Sequence, residues 1–249
     1  MEQSRLSHMI VLFTDFGWRG PYVGQMKAVL AQQVPDQVVI DLMHDAPVFN
    51  TRAAAYLLAS LVDPFPKNTV FLAVVDPGVG SGERRPCVLQ ADGRWYVGPD
   101  NGLLNVIAKH SVEYKAWVID WQPESLSDSF HGRDLFAPVA AQLASGQLPE
   151  MTETSLAQDP LNWPAELAQI IYLDFFGNAM TGLHGAHISK DAVLILNGTQ
   201  INYARVFAEA EKGQPFWYVN SNGLVEIAMK QVDAARTLGL EIGMQLQII

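Results

Sequence analysis

The chain holds a single cysteine, Cys87, so no internal disulfide can form and no multi-cysteine zinc site can be built. Its setting, the apolar run RPCVLQ, reads as a buried structural thiol. Charge is also sparse: 17% of the residues carry it, and 16 Lys and Arg stand against 26 Asp and Glu, a formal net charge of -10. Such a balance repels phosphate backbones and argues against a nucleic-acid partner. It is compatible with a cationic small molecule. No block of like charge marks a tail. No apolar run approaches the ~18 residues of a membrane span, and the opening MEQSRLSHM has no apolar signal core. The expected location is the cytoplasm, with no membrane partner.

What the chain does have is apolar residues, 49% of 249, enough for one large core or two smaller ones. MIVLF (9–13), VVIDL (38–42) and TVFLAVV (69–75) are short buried-strand runs. Between them lie PYVGQMKAVLAQQV (21–34), with proline where a helix start tolerates it, and NTRAAAYLLASLV (50–62), with Asn50 as N-cap. This alternation predicts an α/β domain with a mostly parallel sheet. PCVLQADGRWYVG (86–98) reads as a hairpin turning at Asp92-Gly93, and 101–110 and 133–146 as helices. The polar, Pro- and Thr-bearing stretch 151–168 reads as a linker. Beyond it, close-spaced runs such as IIYLDF, AVLILNG and LVEIAM predict a smaller β-rich, barrel-like domain. The expected division is 1–150, linker 151–168, and 169–249.

Ligands of open α/β sheets bind outside the carboxyl ends of the strands. There the sequence places TDFG (14–17), DPGVGSGERR (76–85), GPDNG (98–102) and SFHGRD (129–134). Asp15, Asp76, Arg84, Asp100, Asn101 and His131 are thereby candidates for one site. In the second domain, DFFGNAMTG (174–182) sets a carboxylate, two aromatics and an amide after a strand, a combination suited to a flat heterocycle. Other motifs fail. DFG and HGRD stand in reverse kinase order without a GxGxxG. DPGVGSGERR lacks the Gly-Lys-Ser/Thr ending of a phosphate loop. A hard-cation site from Asp15, Asp76, Asp100 and His131 has neither HxxxH nor paired-carboxylate spacing behind it.

Taken together, LFTDFG with YVGQMK, VVDPGVGS…RR, VGPDNGLL, FHGRDLFAPVAA, DFFGNAMT and NSNGLVEIA resemble the S-adenosyl-L-methionine hydroxide adenosyltransferases. These adenosine-forming hydrolases are relatives of the fluorinating and chlorinating enzymes that use the same substrate. The pieces occur in the family's order from about residue 10 to 230. The resemblance implies an α/β N-terminal domain, a β-rich C-terminal domain, and a homotrimer with each site between neighbouring copies. It implies hydrolysis of S-adenosyl-L-methionine to adenosine and L-methionine, with no cofactor and no metal.

By motif, the family's water-handling trio falls on Asp76, Arg84 and His131. Because GSGERR is one residue longer than the usual spacing, Arg85 is the alternative arginine. Asp15 matches the ribose-binding aspartate. Asp174 and Asn178 match positions contacting the methionine part and the adenine edge, and Phe176 an aromatic beside adenine. Phe49 and Tyr203 fall near aromatic walls, and Ser221 matches a serine at the methionine end. Asp76 stands where the halogenating relatives place tyrosine, and His131-Gly132 where the fluorinating enzyme has Tyr-Ser. Both favour water as nucleophile. Gly20 and Gly182 depart from the family's aspartate and TNI.

The chemistry is coherent with these residues. A sulfonium leaves as a neutral thioether, so no general acid is required. The task is to hold water or hydroxide in line behind ribose C5′. Two rivals are a metal-dependent phosphohydrolase, which a chelator would stop, and a non-catalytic S-adenosylmethionine or adenosine binder, which ligand would stabilise without turnover.

Overall fold

The computed structural model describes residues 9–81 and 84–249. The chain divides into two compact units, one of residues up to Ala55 together with Asp63–Trp163, the other of Tyr56–Val62 together with Pro164–Ile249.

The first unit is built on a seven-stranded sheet of β1 (Ile10–Thr14), β2 (Val39–Met43), β3 (Val70–Val74), β4 (Pro86–Ala91), β5 (Arg94–Pro99), β6 (Tyr114–Ile119) and β7 (Met151–Thr154), in the order β2-β1-β3-β5-β4-β6-β7. Pairings from β2 through β1 and β3 to β5 are parallel, and those of β4, β6 and β7 are antiparallel. The sheet is therefore mixed. β1 and β3 are buried along their whole length, which is why they read as unbroken apolar runs rather than alternating ones.

Helix α1 (Tyr22–Gln33) and a later helix, α4 (Ala137–Ala144), bury Met26, Leu30, Val139 and Leu143 in one cluster with Ile10, Leu12, Val70 and Leu72. Each such side chain removed from water contributes about 1.5–3 kcal/mol. Between them come α2 (Thr51–Ser60) and α3 (Asn105–His110). Asn50 caps α2 as expected, its side chain accepting the Ala53 N–H at 3.0 Å. The β4–β5 turn falls at Asp92-Gly93, both with positive φ.

The stretch read as a linker is different. Met151–Thr154 adds β7 to the sheet edge, and Asp159 accepts the Leu161 N–H at 2.9 Å to cap a single 3₁₀ turn, Pro160–Asn162. A polar, Thr-containing segment suits an edge strand as well as a linker.

The second unit carries β8 (Leu167–Leu173), β9 (Ala179–His184), β10 (Leu194–Leu196), β11 (Thr199–Tyr203), β12 (Pro215–Val219), β13 (Leu224–Met229), the short helix α5 (Ala234–Leu238) and β14 (Gln247–Ile248), in sheet order β14-β10-β11-β12-β13-β9-β8. A bridge from Gln169 to Gln245, with the Leu246 N–H donating to the Ala168 carbonyl, carries β8 towards the opposite edge. The sheet nearly closes into a barrel around Trp217, Ile201 and Ile227. Gly182 has a local reason here: a Cβ would come 2.8 Å from the Leu167 carbonyl oxygen. Among the described residues, no helix is long and apolar enough to cross a membrane.

Candidate active site

In the first unit the chain leaves β1 for β2 on one side and returns to β3 on the other. The crevice at such a reversal lies beyond the carboxyl ends of β1 and β3. Thr14 pairs in register with Val74, so Asp15 and Asp76 follow directly from neighbouring strand ends. Both line a cavity of about 400 Å³, together with His131, Gly132, Phe16 and Tyr22. Four of the polar candidates are thus brought to one place when Arg84 is included. Its Nη1 donates to Asp76 Oδ1 at 2.6 Å.

The loop after β3 explains how that bond forms. Asp76 Oδ1 also accepts the Gly78 N–H at 3.2 Å, which turns the chain back on itself. A Cβ on Gly78 would sit 2.6 Å from the Arg84 guanidinium carbon; glycine leaves the room that the arginine fills. Arg85 goes elsewhere. Its Nη2 donates to Asp100 at 2.7 Å and to the Ser155 carbonyl at 3.0 Å. Asp100 accepts the Ala157 N–H as well, and Asn101 donates to the Val75 carbonyl at 2.9 Å. Asp100 and Asn101, candidates by their place after a strand, are spent on holding the loops.

Asp15 shares its cavity with a second carboxylate. Burial pushes its carboxyl above the ordinary range, its own N–H and that of Phe49 pull it back, and the charge of Asp76 pushes it further up. Phe49 itself has φ 59° and a ring left 78% exposed. It meets Asp15 through its backbone N–H, and its ring is not among the lining of this cavity. His131 begins a wide π-type turn, Gly132–Phe136, that runs into α4. A Cβ at Gly132 would meet Met26, Phe130 and Phe16 at 3.2–3.3 Å, so the histidine reaches the cavity over a tightly packed backbone. Arg133 and Asp134 pair with one another at 2.6 Å, and Asp134 accepts the Ser127 N–H at 3.0 Å. They fasten the loop.

In the second unit the β8–β9 turn is organised by Asp174. Its carboxylate accepts the N–H groups of Phe176 and Asn178, at 2.9 and 2.8 Å, and Asn178 Nδ2 at 2.9 Å. Phe175 and Phe176 are left 97% and 73% exposed. Asp174, Phe176 and Asn178 line a second cavity, of about 620 Å³, with Phe207, Tyr218 and Asp233. Tyr203 and Ser221 are not among its lining. Tyr203 packs on Trp217 at 4.8 Å, and Ser221 is exposed in the β12–β13 turn.

Sequence reasoning missed the aromatics Tyr22, Phe130, Phe207 and Tyr218, which look like ordinary core residues until the loops fold around them. It also missed Glu226, buried in β13, bonded to the Tyr218 hydroxyl and to Asn220 Nδ2, the latter at 2.7 Å. A carboxylate inside LVEIAM was a signal that could have been read. Gly20 is exposed, with only the Tyr22 ring within 4 Å of an added Cβ; nothing in the structure explains its departure from aspartate. Among the described residues, no three of His, Cys, Asp and Glu gather to hold a metal ion.

Comparison with known proteins agrees with this layout. Residues 10–153 match the SAM hydroxide adenosyltransferase N-terminal domain, and 168–247 the C-terminal domain. A protein of Thermus thermophilus named (R)-S-adenosyl-L-methionine hydrolase is 36% identical, over 96% of this chain and 99% of its own. One of the same name from Salinispora arenicola is 36% identical over 94% and 95%. The crystal structure of an uncharacterized conserved protein from Thermotoga maritima superposes with a TM-score of 0.86 at 30% identity, covering 97% of this chain and all of that one. On these matches over nearly its whole length, this chain belongs to the SAM hydroxide adenosyltransferase family.

Proposed function

We propose that this protein hydrolyses S-adenosyl-L-methionine to adenosine and L-methionine, by attack of water or hydroxide at ribose C5′. The observation that carries the proposal is the 2.6 Å Asp76–Arg84 pair, whose Asp76 lines a cavity together with Asp15 and His131. Relatives that bear the hydrolase name over nearly the full chain support it.

In this reading Asp15 binds the ribose hydroxyls. Asp76, oriented by Arg84, accepts a hydrogen bond from the nucleophile. The guanidinium charge favours hydroxide character, and His131 bonds to the nucleophile or accepts its proton. The sulfonium departs as a neutral thioether, so no residue is needed to protonate it. Asp174, Asn178 and Phe176 serve the methionine and adenine parts, with Phe49, Tyr203 and Ser221 as outer contacts. The substrate itself supplies the reactive centre, and no cofactor or metal enters the reading.

The proposal includes a homotrimer in which the second unit of a neighbouring copy completes each site. The exposed Phe175 and Phe176 rings support it, since apolar surface of that size gains from being covered. Its compartment is the cytoplasm, a reading supported by the lone buried thiol of Cys87. The test is incubation with S-adenosyl-L-methionine, with and without EDTA, followed by chromatography. Adenosine and methionine are expected in both samples and absent with His131→Ala. Loss with EDTA alone would favour a metal-dependent hydrolase. No product, but a raised melting temperature, would indicate a binder.

A further inference from the structure

A buried histidine outside the cavity lies behind its ribose-side carboxylate. His44 has no solvent exposure. Its Nδ1 lies 2.8 Å from the Thr14 hydroxyl and its Nε2 3.2 Å from Asp41 Oδ1, and Asp41 in turn accepts from Lys27 Nζ at 2.7 Å. The Phe16 N–H reaches the same Thr14 hydroxyl at 3.4 Å, and the Gly17 N–H donates to the His44 carbonyl at 2.6 Å. The Ala46 N–H donates to the Thr14 carbonyl at 3.1 Å. Both flanks of Asp15 are thus tied to the segment that begins at His44, and the same segment delivers the Phe49 N–H to the Asp15 carboxylate.

For a neutral imidazole the hydrogen-bond directions follow from the partners. A carboxylate only accepts, so Asp41 takes the Nε2 proton. Nδ1 is then left as an acceptor for the Thr14 hydroxyl proton, and the hydroxyl lone pairs face the Phe16 N–H. The result is a chain in which the Phe16 N–H, Thr14 and His44 each donate to the next group, and Asp41 accepts from both His44 and Lys27. A buried network of this kind is rigid only while every member is satisfied.

We infer that His44, acting through Thr14, is a positioning residue that sets the geometry of Asp15 for binding the ribose. The inference rests on the function proposed above. Thr14 is itself fully buried, so it offers a conservative pair of variants. Thr14→Val keeps the shape and loses the hydroxyl; Thr14→Ser keeps the hydroxyl and loses a methyl group.

The experiment measures two things on each variant beside the wild type: KM and kcat for adenosine formation, and amide hydrogen exchange at Phe16 and Gly17. Thr14→Val is expected to raise KM about tenfold or more, as expected for a misplaced charge-assisted contact, with kcat changed less. The two amides should exchange at least about tenfold faster. Thr14→Ser should stay within about threefold of wild type on both, even where its melting temperature falls through the lost methyl group. Equal losses in the two variants would mean that Thr14 merely packs, and would overturn the inference. So would faster exchange with an unchanged KM. If the wild type forms no adenosine, the functional proposal fails by itself, and the exchange at Phe16 and Gly17 still decides whether the network holds the turn.

Discussion

Arg84 and Arg85 are neighbours in sequence with opposite assignments, and replacing each by methionine separates them. Arg84 donates to Asp76 across 2.6 Å, and the Asp76 side chain is 9% exposed. A hydrogen bond to a charged group contributes about 1.5–3 kcal/mol, which translates to about a 10- to 150-fold loss in kcat/KM for Arg84→Met. The loss should fall mainly on kcat, because in the proposed mechanism the pair acts on the nucleophile and not on substrate binding. Arg85→Met removes the 2.7 Å contact to Asp100, whose side chain is 2% exposed. Its penalty, again about 1.5–3 kcal/mol, belongs to folding and lowers the melting temperature by about 3–12 °C, with kcat/KM within about threefold of wild type. The assays are adenosine release by chromatography and a calorimetric melt on the same preparations. If Arg85→Met loses activity as heavily as Arg84→Met while both melt normally, the assignment is wrong. Arg84→Met with near-native turnover would remove the pair from the mechanism.

Three further outcomes follow from the packing and the charges. Gly98→Ala would place a Cβ 2.1 Å from the Ala73 carbonyl oxygen, forcing β5 from β3 at a cost of about 3 kcal/mol or more; a native melting temperature would contradict the register. Burial holds the Glu226 carboxyl above its ordinary range against the bonds from Tyr218 and Asn220, with the charge of Asp174 adding to the rise. Because the folded value is raised, the stability contributed by the neutral carboxyl is full below about pH 4.3 and is lost as pH rises through the folded value. Glu226→Gln should therefore gain in melting temperature relative to wild type between pH 4 and pH 7, and a constant difference would refute this. Asp134 behaves oppositely. The Arg133 bond and the Ser127 N–H hold its carboxyl low against burial, so its contribution is present above about pH 3.9 and lost as pH falls through the lower folded value. The melting-temperature deficit of Asp134→Asn should shrink from pH 6 to pH 3.

The strands and helices of the first unit were legible because β1 and β3 are buried on both faces and α1 and α4 carry helical spacing. The hairpin was legible from Asp92-Gly93. The edge strand β7 was not, since a polar strand with one open side has no apolar period to betray it. Asp15, Asp76 and His131, which line the first cavity, could be read from their place after strands and before a helix. Asp100 and Asn101 share that signature, and only side-chain direction separates a loop fastener from a cavity residue. The bond from the Phe49 N–H to Asp15 was not legible, because it is made by the backbone and not by the ring. The aromatic lining came from residues whose sequence context is indistinguishable from core.

Arg85 has one more consequence. It is locked to Asp100 through its side chain, and its carbonyl accepts the Asp100 N–H at 2.9 Å, immediately before Pro86 pairs with Pro99. The chain therefore arrives at Arg84 from a fixed point downstream. The eight-residue separation from Asp76 to Arg84 is closed at both ends by anchors that do not depend on its length. One residue more or less changes the closure entropy of such a loop by only about 0.1 kcal/mol. The longer spacing read in GSGERR is therefore compatible with the first of its two arginines reaching Asp76.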